Sequence, residues 1–226
     1  MPTSPEQYFI CWTAAPEEMD AWWAEGWRHF GAFFFRYRRA WPGGRSCTVV
    51  PLRVAVERFA PSRSQRRIIA RNRDARVEIG ETVFNDELEE MFERHKTRFR
   101  SDVPESLSVF LSFAPGSVPC RNETIAVRVG GRLVAASFLD VGRRATSAVY
   151  AMFDPAESRR SLGVFTMLEA LRYTRETRRA HYYPGYACRE PSVYDYKKNF
   201  AGLEAFDWQG RWHALDAAKA LKDVEP

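Results

Sequence analysis

The feature that most constrains the fold of this chain is a pair of strand-like apolar stretches separated by two glycines. Residues 124–142 read TIAVRVGGRLVAASFLDVG, with Gly130 and Gly131 at the centre. A Gly-Gly pair between two such stretches favours the tight turn of a β-hairpin. A third stretch, SAVYAMFDP, follows at 147–155. The sequence therefore predicts three consecutive strands.

The elements that follow complete an α/β pattern. A helix is predicted over 161–179, with Val164, Leu168 and Leu171 on one face. HYYPGYA then predicts another strand, and SVYDYKKNFAG a short helix. The order of hairpin, strand, glycine-containing loop, helix, strand and helix is that of the N-acetyltransferase (GNAT) type of α/β fold. We therefore predict a GNAT-like mixed, mainly antiparallel sheet flanked by helices, with a splayed central strand pair and a helix N-terminus facing an acyl donor.

The first part of the chain is rich in aromatic residues between positions 8 and 41. GAFFFRYRRAW, a Pro-Gly-Gly turn at 42–44 and CTVVPLRVAVERF predict strand, turn and strand. Most of these aromatic side chains are expected in the core, and stacking on RNA bases is the alternative. The predicted organisation is an aromatic-rich subdomain (1–60), a basic helix followed by a linking helix (61–100), and a GNAT-like domain (101–226).

Positive charge is concentrated in one segment. Residues 36–76 contain twelve arginines against Glu57 and Asp74, a net charge of +10, so the rest of the chain carries −5 of the total of +5. A basic segment in an otherwise acidic chain indicates an anionic partner such as a phosphate backbone. The alternative is an ordinary solvated charged face.

Within this segment, PSRSQRRIIARNRD at 61–74 predicts a helix capped by Ser62 or Ser64. Ile68 and Ile69 are expected to point away from its cationic face. At about 100° per residue, four arginines fall within one arc of roughly 140°, namely Arg63, Arg66, Arg67 and Arg71. Almost no acids are spaced to pair with them. This helix is therefore predicted to bind an anion. A second helix, over 83–99, is predicted to end near His95.

The composition argues against several classes of protein. No stretch approaches about 18 uncharged apolar residues, and MPTSPEQYF has no features of a signal peptide. A cytoplasmic protein without a membrane partner is expected. The cysteines form no CxxC pair and no Cys/His cluster of metal-ligand spacing. All four are predicted to be reduced thiols, namely Cys11, Cys47, Cys120 and Cys188.

Three segments together resemble the arginyl-tRNA:protein transferase family, including its bacterial branch that transfers leucine to acidic N-termini. They are PSRSQRRIIARNRD at 61–74, SAVYAMFDPAESRRSLGVFTMLEAL at 147–171 and YYPGYACREPSVYDYKKNF at 182–200. Their order also fits that family, from GWRHFGAFFFRYR, which is similar to its glycine-arginine strand, to GLEAF. The resemblance implies aminoacyl-tRNA as co-substrate, no cofactor, and the N-terminal α-amine of a protein or peptide as acceptor. Arginine, leucine and lysine remain open as the transferred amino acid.

The resemblance also implies site residues. The candidates carried over are Ser62, Arg63, Ser64, Arg66, Arg67 and Asn72 from the first motif, Tyr150, Phe153, Ser161, Leu162 and Gly163 from the second, and Tyr183, Gly185, Tyr186, Tyr196, Lys197 and Phe200 from the third. Arg71 joins the substrate-binding set from the basic helix face, and Arg160 joins it from the loop before the predicted helix.

Aminolysis of an aminoacyl ester has a favourable free energy of reaction. The protein must therefore mainly align the substrates, desolvate the amine and stabilise an oxyanion. Free backbone N–H groups after Ser161 suit a phosphate or a carbonyl oxygen. Tyr186, Glu190 and Ser161 are the predicted catalytic residues. Either Glu190 or Asp195 could deprotonate the acceptor ammonium, and Lys197 or an arginine of the basic helix is expected to bind an acidic acceptor side chain.

The sequence also departs from the family pattern. The N-terminal cysteine cluster is reduced to Cys47 in AWPGGRSCTVV, so no zinc or iron-sulfur cluster is predicted. Val193, Tyr194 and Asp195 stand where the family usually carries Lys-Met, which puts the acceptor and the transferred amino acid in question. Two alternatives stay open: an acetyl-CoA-dependent N-acetyltransferase, which a bulky Phe165 near the helix start argues against, and an inactive tRNA-binding relative.

Overall fold

The computed structural model describes residues 6–41, 44–99 and 103–215. The strands are β1 Gln7–Ile10, β2 Arg28–Phe30, β3 Phe33–Arg36, β4 Arg39–Ala40, β5 Cys47–Ala55, β6 Arg76–Glu81, β7 Asn122–Val129, β8 Arg132–Val141, β9 Ala145–Phe153, β10 His181–Cys188, β11 Leu203–Phe206 and β12 Trp212–Ala214. The α-helices are α1 Pro16–Ala24, α2 Arg63–Arg71, α3 Asp86–Lys96 and α4 Leu162–Glu176.

The predicted fold class is confirmed by the main sheet, whose strand order is β12-β11-β5-β10-β9-β8-β7-β6. Every described pairing in it is antiparallel except β9 with β10, which is parallel. Gly130 and Gly131 have φ of +57° and +82° and form the predicted hairpin turn between β7 and β8. Glycine adopts this left-handed region without the steric penalty that other residues incur.

Strand β5 brings the aromatic-rich part of the chain into the main sheet. It pairs with β10 on one side and with β11 on the other, and β4 pairs with its first residues. The predicted strand, turn and strand are thus observed, although turn positions 42 and 43 lie outside the described residues. β1, β3 and β2 form a separate three-stranded sheet. The division at 60 and 100 remains a prediction.

Different elements cover the two faces of the main sheet. On one face, α4 contributes Met167, Leu168 and Leu171 to a core shared with β5 and β10. Another cluster joins Trp23 of α1 and Phe34 of the small sheet to Tyr183 of β10. Burial of large apolar side chains of this kind stabilises a fold by about 1.5–3 kcal/mol each. Several aromatic side chains of the first part are therefore core, as predicted, whereas Tyr8, Trp12 and Trp41 are exposed.

The helix predicted from PSRSQRRIIARNRD is α2. Ser62 is its N-cap and accepts a hydrogen bond from the backbone N–H of Gln65, whose side-chain oxygen accepts one from the Ser62 N–H. This reciprocal capping box satisfies donors that a helix start leaves free. Ile68 packs against the core, but Ile69 is 42% exposed, so the prediction that both isoleucines are buried is wrong for Ile69.

The prediction of four reduced thiols is wrong for two of them. Cys47 at the start of β5 and Cys188 at the end of β10 form a disulfide that spans 141 positions of sequence. The antiparallel pairing of these strands brings the two thiols together, and no local pattern signals such a contact. Cys11 and Cys120 are free. Burial first, and then Asp140, raises the pKa of the Cys120 thiol well above its ordinary value.

Removing this disulfide is expected to destabilise the protein without unfolding it. A crosslink that closes so long a loop contributes about 2–4 kcal/mol through the unfolded chain. For a chain of this size, Cys47→Ser should therefore lower the melting temperature by about 5–15 °C in the absence of reductant. Thermal denaturation followed by circular dichroism measures this, with Cys11→Ser as the matched control. Equal melting temperatures for Cys47→Ser and the wild type would contradict the assignment.

Candidate active site

The candidate site opens where β9 and β10 separate. The two strands pair in parallel only from His181 to Tyr183, opposite Ala145 to Ser147. Beyond a register shift, β10 continues along β5 from Gly185 to Cys188, while β9 continues along β8. The predicted splayed strand pair is thus present, and the space between its arms is the cleft described here.

Two cations occupy the point of separation. Arg28, from β2, donates hydrogen bonds to the Ser147 hydroxyl and to the Ala148 carbonyl on β9. Lys197 donates from Nζ to the Tyr186 carbonyl on β10 at 3.2 Å. The two side chains therefore bind backbone oxygens that the missing β9–β10 ladder leaves free, which buried carbonyls require.

Gly185 lies directly beside both cations. Its φ is +92°, and a Cβ at this position would lie 3.5 Å from Lys197 Nζ and 3.8 Å from an Arg28 guanidinium nitrogen. Burial and the nearby Arg28 charge lower the pKa of Lys197 to about 7. A lysine next to another cation loses its proton more readily than one in water. Lys197 is therefore partly neutral at physiological pH.

No carboxylate pairs with either cation among the described residues. The charge of Asp140 acts on Arg28, but this carboxylate is already bound by two other groups. His29 Nε2 lies 2.6 Å from one Asp140 oxygen, and Asn122 donates to the other at 2.7 Å. The described part of the cleft consequently carries positive charge without a paired carboxylate.

Tyrosines line the rest of the cleft. Tyr150 on β9 stacks on Phe110 with ring centroids 3.9 Å apart, and its buried hydroxyl has no hydrogen-bond partner. Burial raises the pKa of Tyr150 to about 12, so this hydroxyl stays protonated at neutral pH. Tyr194 and Tyr196 are 42% and 39% exposed, and Lys197 Nζ lies 5.1 Å from the Tyr194 ring centroid. A protonated hydroxyl, that of Tyr150, and two partly exposed tyrosine rings therefore border the cleft.

A β-bulge interrupts β9 beside Tyr150. Phe138 on β8 pairs with Tyr150 and Leu139 pairs with Ala148, so Val149 has no partner in this ladder. A bulge leaves one residue unpaired and redirects the neighbouring side chains. The extra residue lies on the strand that borders the cleft.

The start of α4 lies at the outer end of β9. Ser161 caps the helix with φ +56° and no side-chain capping bond, and a Cβ at Gly163 would lie 3.5 Å from the Phe153 ring. The first backbone N–H groups of a helix have no partner within the helix and attract anions. Phe165 is 3% exposed in the core with Val127 and Val134. The expectation that Phe165 would crowd an anion here is therefore wrong.

Helix α2 connects this helix start to the cleft wall. At its N-terminal end, Gln65 donates to the Asn199 carbonyl at 3.0 Å, directly after the turn that carries Tyr196 and Lys197. At its C-terminal end, Arg71 donates to the Arg159 carbonyl, and Asn72 donates to the Arg160 carbonyl at 2.9 Å. The basic helix thus lies along one edge of the site.

The arginines of α2 remain largely uncompensated. All four are exposed, and none forms an ion pair with a carboxylate in the part of the chain that the structure describes. Arg66 and Arg71 donate only to backbone or hydroxyl oxygens. These are the free cations that the sequence predicted on this face. Ser62 and Ser64 hydrogen-bond to each other through their hydroxyls.

Several predicted site residues lie elsewhere or are engaged. Arg160 is held by Asp74 at 2.8 Å and by Glu157 at 2.9 Å, so it is not a free cation. Tyr183 packs between Trp23 and Trp212 in the core, away from the cleft tyrosines. Asn72 is buried and fixes α2 to the loop before α4, and Phe200 is a core residue.

The three residues predicted to be catalytic are not brought together around one reacting centre. Tyr186 borders the cleft, but its hydroxyl donates to the Gly26 carbonyl at 2.6 Å. Glu190 accepts from the Thr48 backbone and hydroxyl at 2.7 and 3.0 Å. Burial favours a higher pKa for Glu190, but hydrogen bonds from its own backbone and from Thr48 outweigh this and hold the pKa below its usual value. Ser161 lies at the α4 start.

Asp195, the alternative base, is paired with Lys198 at 2.7 Å.

Arg28 is the cleft residue that the sequence analysis did not predict. It lies in the GWRHFGAFFFRYR segment, so the family resemblance pointed to its strand but not to its side chain. Its partners Ser147 and Ala148 are 119 and 120 positions away, which no local pattern could indicate.

A metal site was not expected. Across residues 6–41, 44–99 and 103–215, no three His, Cys, Asp or Glu side chains could hold a metal ion together. Cys47 is bonded to Cys188 and cannot act as a thiolate ligand. No described helix is long and apolar enough to cross a membrane.

The family is established by comparison with known proteins. A model described as "Arginine-tRNA-protein transferase, C terminus" matches residues 87–207, which include β9, β10 and the Lys197 turn. An aspartate/glutamate leucyltransferase of Xanthomonas axonopodis pv. citri (strain 306) is 36% identical over 182 residues, covering 76% of this chain and 71% of the relative. The leucyltransferase of Stenotrophomonas maltophilia (strain K279a) is 35% identical over 176 residues, covering 74% and 69%.

Among solved structures, the chain is similar to the GCN5-related glucosamine N-acetyltransferase region of a fungal multi-domain β-N-acetylglucosaminidase, with a TM-score of 0.47 and 12% identity. That match covers 90% of this chain and 24% of the other.

The match to the family model extends over more than half of the 226 residues. The cleft and the basic helix agree with this family match, and the chain belongs to the arginine-tRNA-protein transferase family and is an aminoacyltransferase.

Proposed function

We propose that this enzyme transfers leucine from leucyl-tRNA to the α-amine of polypeptides that begin with aspartate or glutamate. The observation that carries the proposal is the pair of cations, Arg28 and Lys197, that shares a cleft without a carboxylate partner. An acidic N-terminal side chain supplies the missing charge, and a guanidinium can hold a carboxylate through two hydrogen bonds. The names of the similar leucyltransferases support the same acceptor and donor.

The charge of the cleft also favours leucine over arginine or lysine as the transferred residue. A cationic donor side chain would need a carboxylate partner in a partly desolvated site. Arg28 and Lys197 would instead repel it, because both lie beside Gly185 at the centre of the cleft. The stacked rings of Tyr150 and Phe110 offer an apolar wall. An aliphatic side chain is compatible with this surface.

The reaction requires the acceptor to lose a proton before it attacks. In our proposal Arg28 binds the acceptor carboxylate, and neutral Lys197 takes a proton from the acceptor ammonium. The free amine attacks the ester carbonyl, forming the C–N bond, and the C–O bond to the ribose then breaks. Lys197 returns its proton to the departing ribose oxygen, while the second ammonium proton leaves to water when the amide forms. Matched pKa values favour such transfers.

Two other groups suit the remaining steps. The unpartnered hydroxyl of Tyr150 can donate to the donor ester, and the backbone at the Val149 bulge can donate to the developing oxyanion. Preorganised donors aimed at a developing negative charge stabilise it more than water does. In our proposal the α4 start and the arginine face of α2 bind phosphates of the charged RNA, and the reaction takes place in the cytoplasm, where charged tRNA is used.

Reversing two charges on α2 is expected to weaken tRNA binding strongly while the fold is kept. Arg63 and Arg67 are exposed and make no side-chain contacts with described residues. Arg63→Glu combined with Arg67→Glu should weaken tRNA binding by about 100-fold at 0.1 M salt, because phosphate contacts dominate such affinities. Filter binding measures this. The matched control reverses Arg76 and Arg143, which are 81% and 73% exposed outside the basic helix. Equal losses in both variants would contradict the placement.

The proposed reaction is tested by incubating the protein with leucyl-, arginyl- or lysyl-tRNA and peptides that differ only in their first residue. Leucine transfer to Asp and Glu peptides, with Asn and Gln peptides at least 100-fold poorer, is expected. Transfer of arginine instead would overturn the donor assignment, and indifference to the first residue would overturn the acceptor assignment. Stabilisation against heat by CoA but not by tRNA would favour the acetyltransferase alternative.

A further inference from the structure

A second cationic pocket lies at the opposite end of the splayed strand pair, where β9 and β10 begin. It encloses about 520 Å³ and opens to solvent. Four arginines share its lining, namely Arg144, Arg175, Arg178 and Arg179. Glu57 and His181 also line it, together with backbone of Ala55, Val56 and Ala180. None of these residues contributes to the cleft at Gly185.

Backbone geometry and hydrogen bonds arrange the four arginines. Arg144 occupies the turn between β8 and β9, and its backbone N–H donates to Asp20 at 2.7 Å. Arg178 follows α4 with φ +58°. Arg179 donates from Nε to the Gly142 carbonyl at 2.8 Å, and Arg175 donates to the Val56 and Phe59 carbonyls at 2.8 and 2.6 Å. The chain therefore gathers these side chains from two separate segments, the β8–β9 turn and the end of α4.

Two of these side chains have no partner. The guanidinium groups of Arg144 and Arg178 are exposed and make no hydrogen bond or ion pair with the residues that the structure describes. Glu57 is the carboxylate in the lining, against four arginines. Burial, followed by the charges of Arg53, Arg144 and Arg58, lowers the pKa of His181 to about 4, even though Glu204 acts in the opposite direction. The pocket is consequently cationic at neutral pH.

The pocket lies near the arginine face of α2. Arg175 binds the segment that ends at Phe59, and its guanidinium lies 6.0 Å from the Phe59 ring centroid. Arg63 follows Phe59 by four residues, a stretch of chain that spans at most about 14 Å. Helix α4, of 15 residues, extends about 22 Å from this pocket to the phosphate-attracting start at Ser161. The positive surface is thus longer than one phosphate or one nucleotide requires.

We propose that this arginine pocket binds phosphate groups of the RNA backbone of the tRNA, at a distance from the aminoacylated end. The proposal rests on the tRNA donor stated above. Arginine is suited to phosphate because its planar fork donates two hydrogen bonds to phosphate oxygens. A free anion such as tripolyphosphate shares this chemistry. The length of the cationic surface favours RNA over a small free anion as the ligand.

The test uses the full chain with two exchanges in the pocket, Arg144→Gln and Arg178→Asn. Asparagine tolerates the left-handed backbone at position 178, and neither arginine side chain forms a hydrogen bond or an ion pair with the residues that the structure describes. The matched control carries Arg38→Gln and Arg211→Gln, which remove the same charge from exposed positions outside the pocket. Binding is measured for uncharged full-length tRNA, for its single-stranded 3′-terminal fragment and for tripolyphosphate, over a series of salt concentrations.

The pocket variant is expected to bind full-length tRNA about tenfold more weakly than wild type at 0.1 M salt, and to lose about 1–2 units of the slope of log K against log salt. Its affinity for the short fragment and its leucine transfer at saturating tRNA should change less than twofold. The control variant should retain the wild-type slope. Arg144→Gln alone, expected to lose about one unit, serves if the double variant shows an altered circular dichroism spectrum.

Three results would overturn the proposal: an unchanged tRNA slope in the pocket variant, an equal loss in the control variant, or loss of tripolyphosphate binding with tRNA binding intact. The last result would identify a small-anion site instead. If the wild-type protein transfers leucine and mutation of the pocket leaves tRNA binding unchanged, only this inference is refuted. A wild-type protein that binds no tRNA refutes the proposed function as well.

Discussion

Lys197→Gln is expected to lower kcat/KM for an Asp-initiated peptide by about 100- to 10,000-fold, the usual range for removal of a general base. Burial and Arg28 lower the pKa of Lys197 to about 7. Below that pH the ammonium form dominates and cannot accept a proton, so wild-type activity should rise with pH through about 7. The acceptor α-ammonium, with an ordinary pKa of about 7.7–8.0, adds a second rise. In the variant the lower inflection should disappear.

Two variants separate this role from simple charge. Lys197→Arg keeps a cation that cannot be deprotonated in a protein, so it should remain as inactive as Lys197→Gln. Lys198→Gln is the matched control, because Lys198 adjoins Lys197 but pairs with Asp195. The control should retain the wild-type pH profile. If Lys197→Arg restored activity, or if Lys197→Gln kept the inflection near pH 7, Lys197 would not be the base.

Arg28→Met is expected to remove discrimination between acidic and amide acceptors. Loss of one partner of a buried, hydrogen-bonded charge pair costs about 2–5 kcal/mol. The kcat/KM value for Asp and Glu peptides should therefore fall by about 30- to 5,000-fold, whereas Asn and Gln peptides, which present no charge to Arg28, should change less than tenfold. The measured quantity is the Asp-to-Asn ratio of kcat/KM under identical conditions.

The ratio distinguishes recognition from scaffolding. Arg28 also holds Ser147 and Ala148 on β9, and a purely structural loss would lower all four peptides by the same factor. Arg38→Met serves as the control because Arg38 is exposed and lies ten residues after Arg28 in the sequence. Its side chain forms no hydrogen bond or ion pair with the residues that the structure describes. It should keep the wild-type ratio. A variant of Arg28 that kept this ratio would exclude Arg28 as the acceptor-binding cation.

Local features of this fold were predictable because their determinants are local. Ser62 and Gln65 are three residues apart, and together they cap α2. Gly130 and Gly131 form the hairpin turn themselves, since both adopt positive φ. Lys197 was predicted from a short motif and does lie in the cleft. In each case the residues that decide the structure lie within a few positions of one another.

The features that sequence reasoning missed depend on strand pairing over more than a hundred positions. The Cys47–Cys188 disulfide exists because β5 and β10 are antiparallel neighbours. The same pairing brings Thr48 to Glu190 and removes that carboxylate from the list of available bases. Tyr183 and Tyr186 are three residues apart, yet the register shift in β10 separates their surroundings. Motif spacing alone does not contain this information.

The central claim is that the two cations at the splayed strands receive the acidic acceptor residue. A crystal structure with an Asp-initiated tripeptide and a non-hydrolysable leucyl-adenosine amide tests it most directly. We expect the peptide carboxylate to lie within hydrogen-bonding distance of the Arg28 guanidinium, about 3.5 Å or less. The peptide α-nitrogen should lie beside Lys197 Nζ. A peptide whose carboxylate is bound by other side chains, with Arg28 still facing only Ser147 and Ala148, would contradict it.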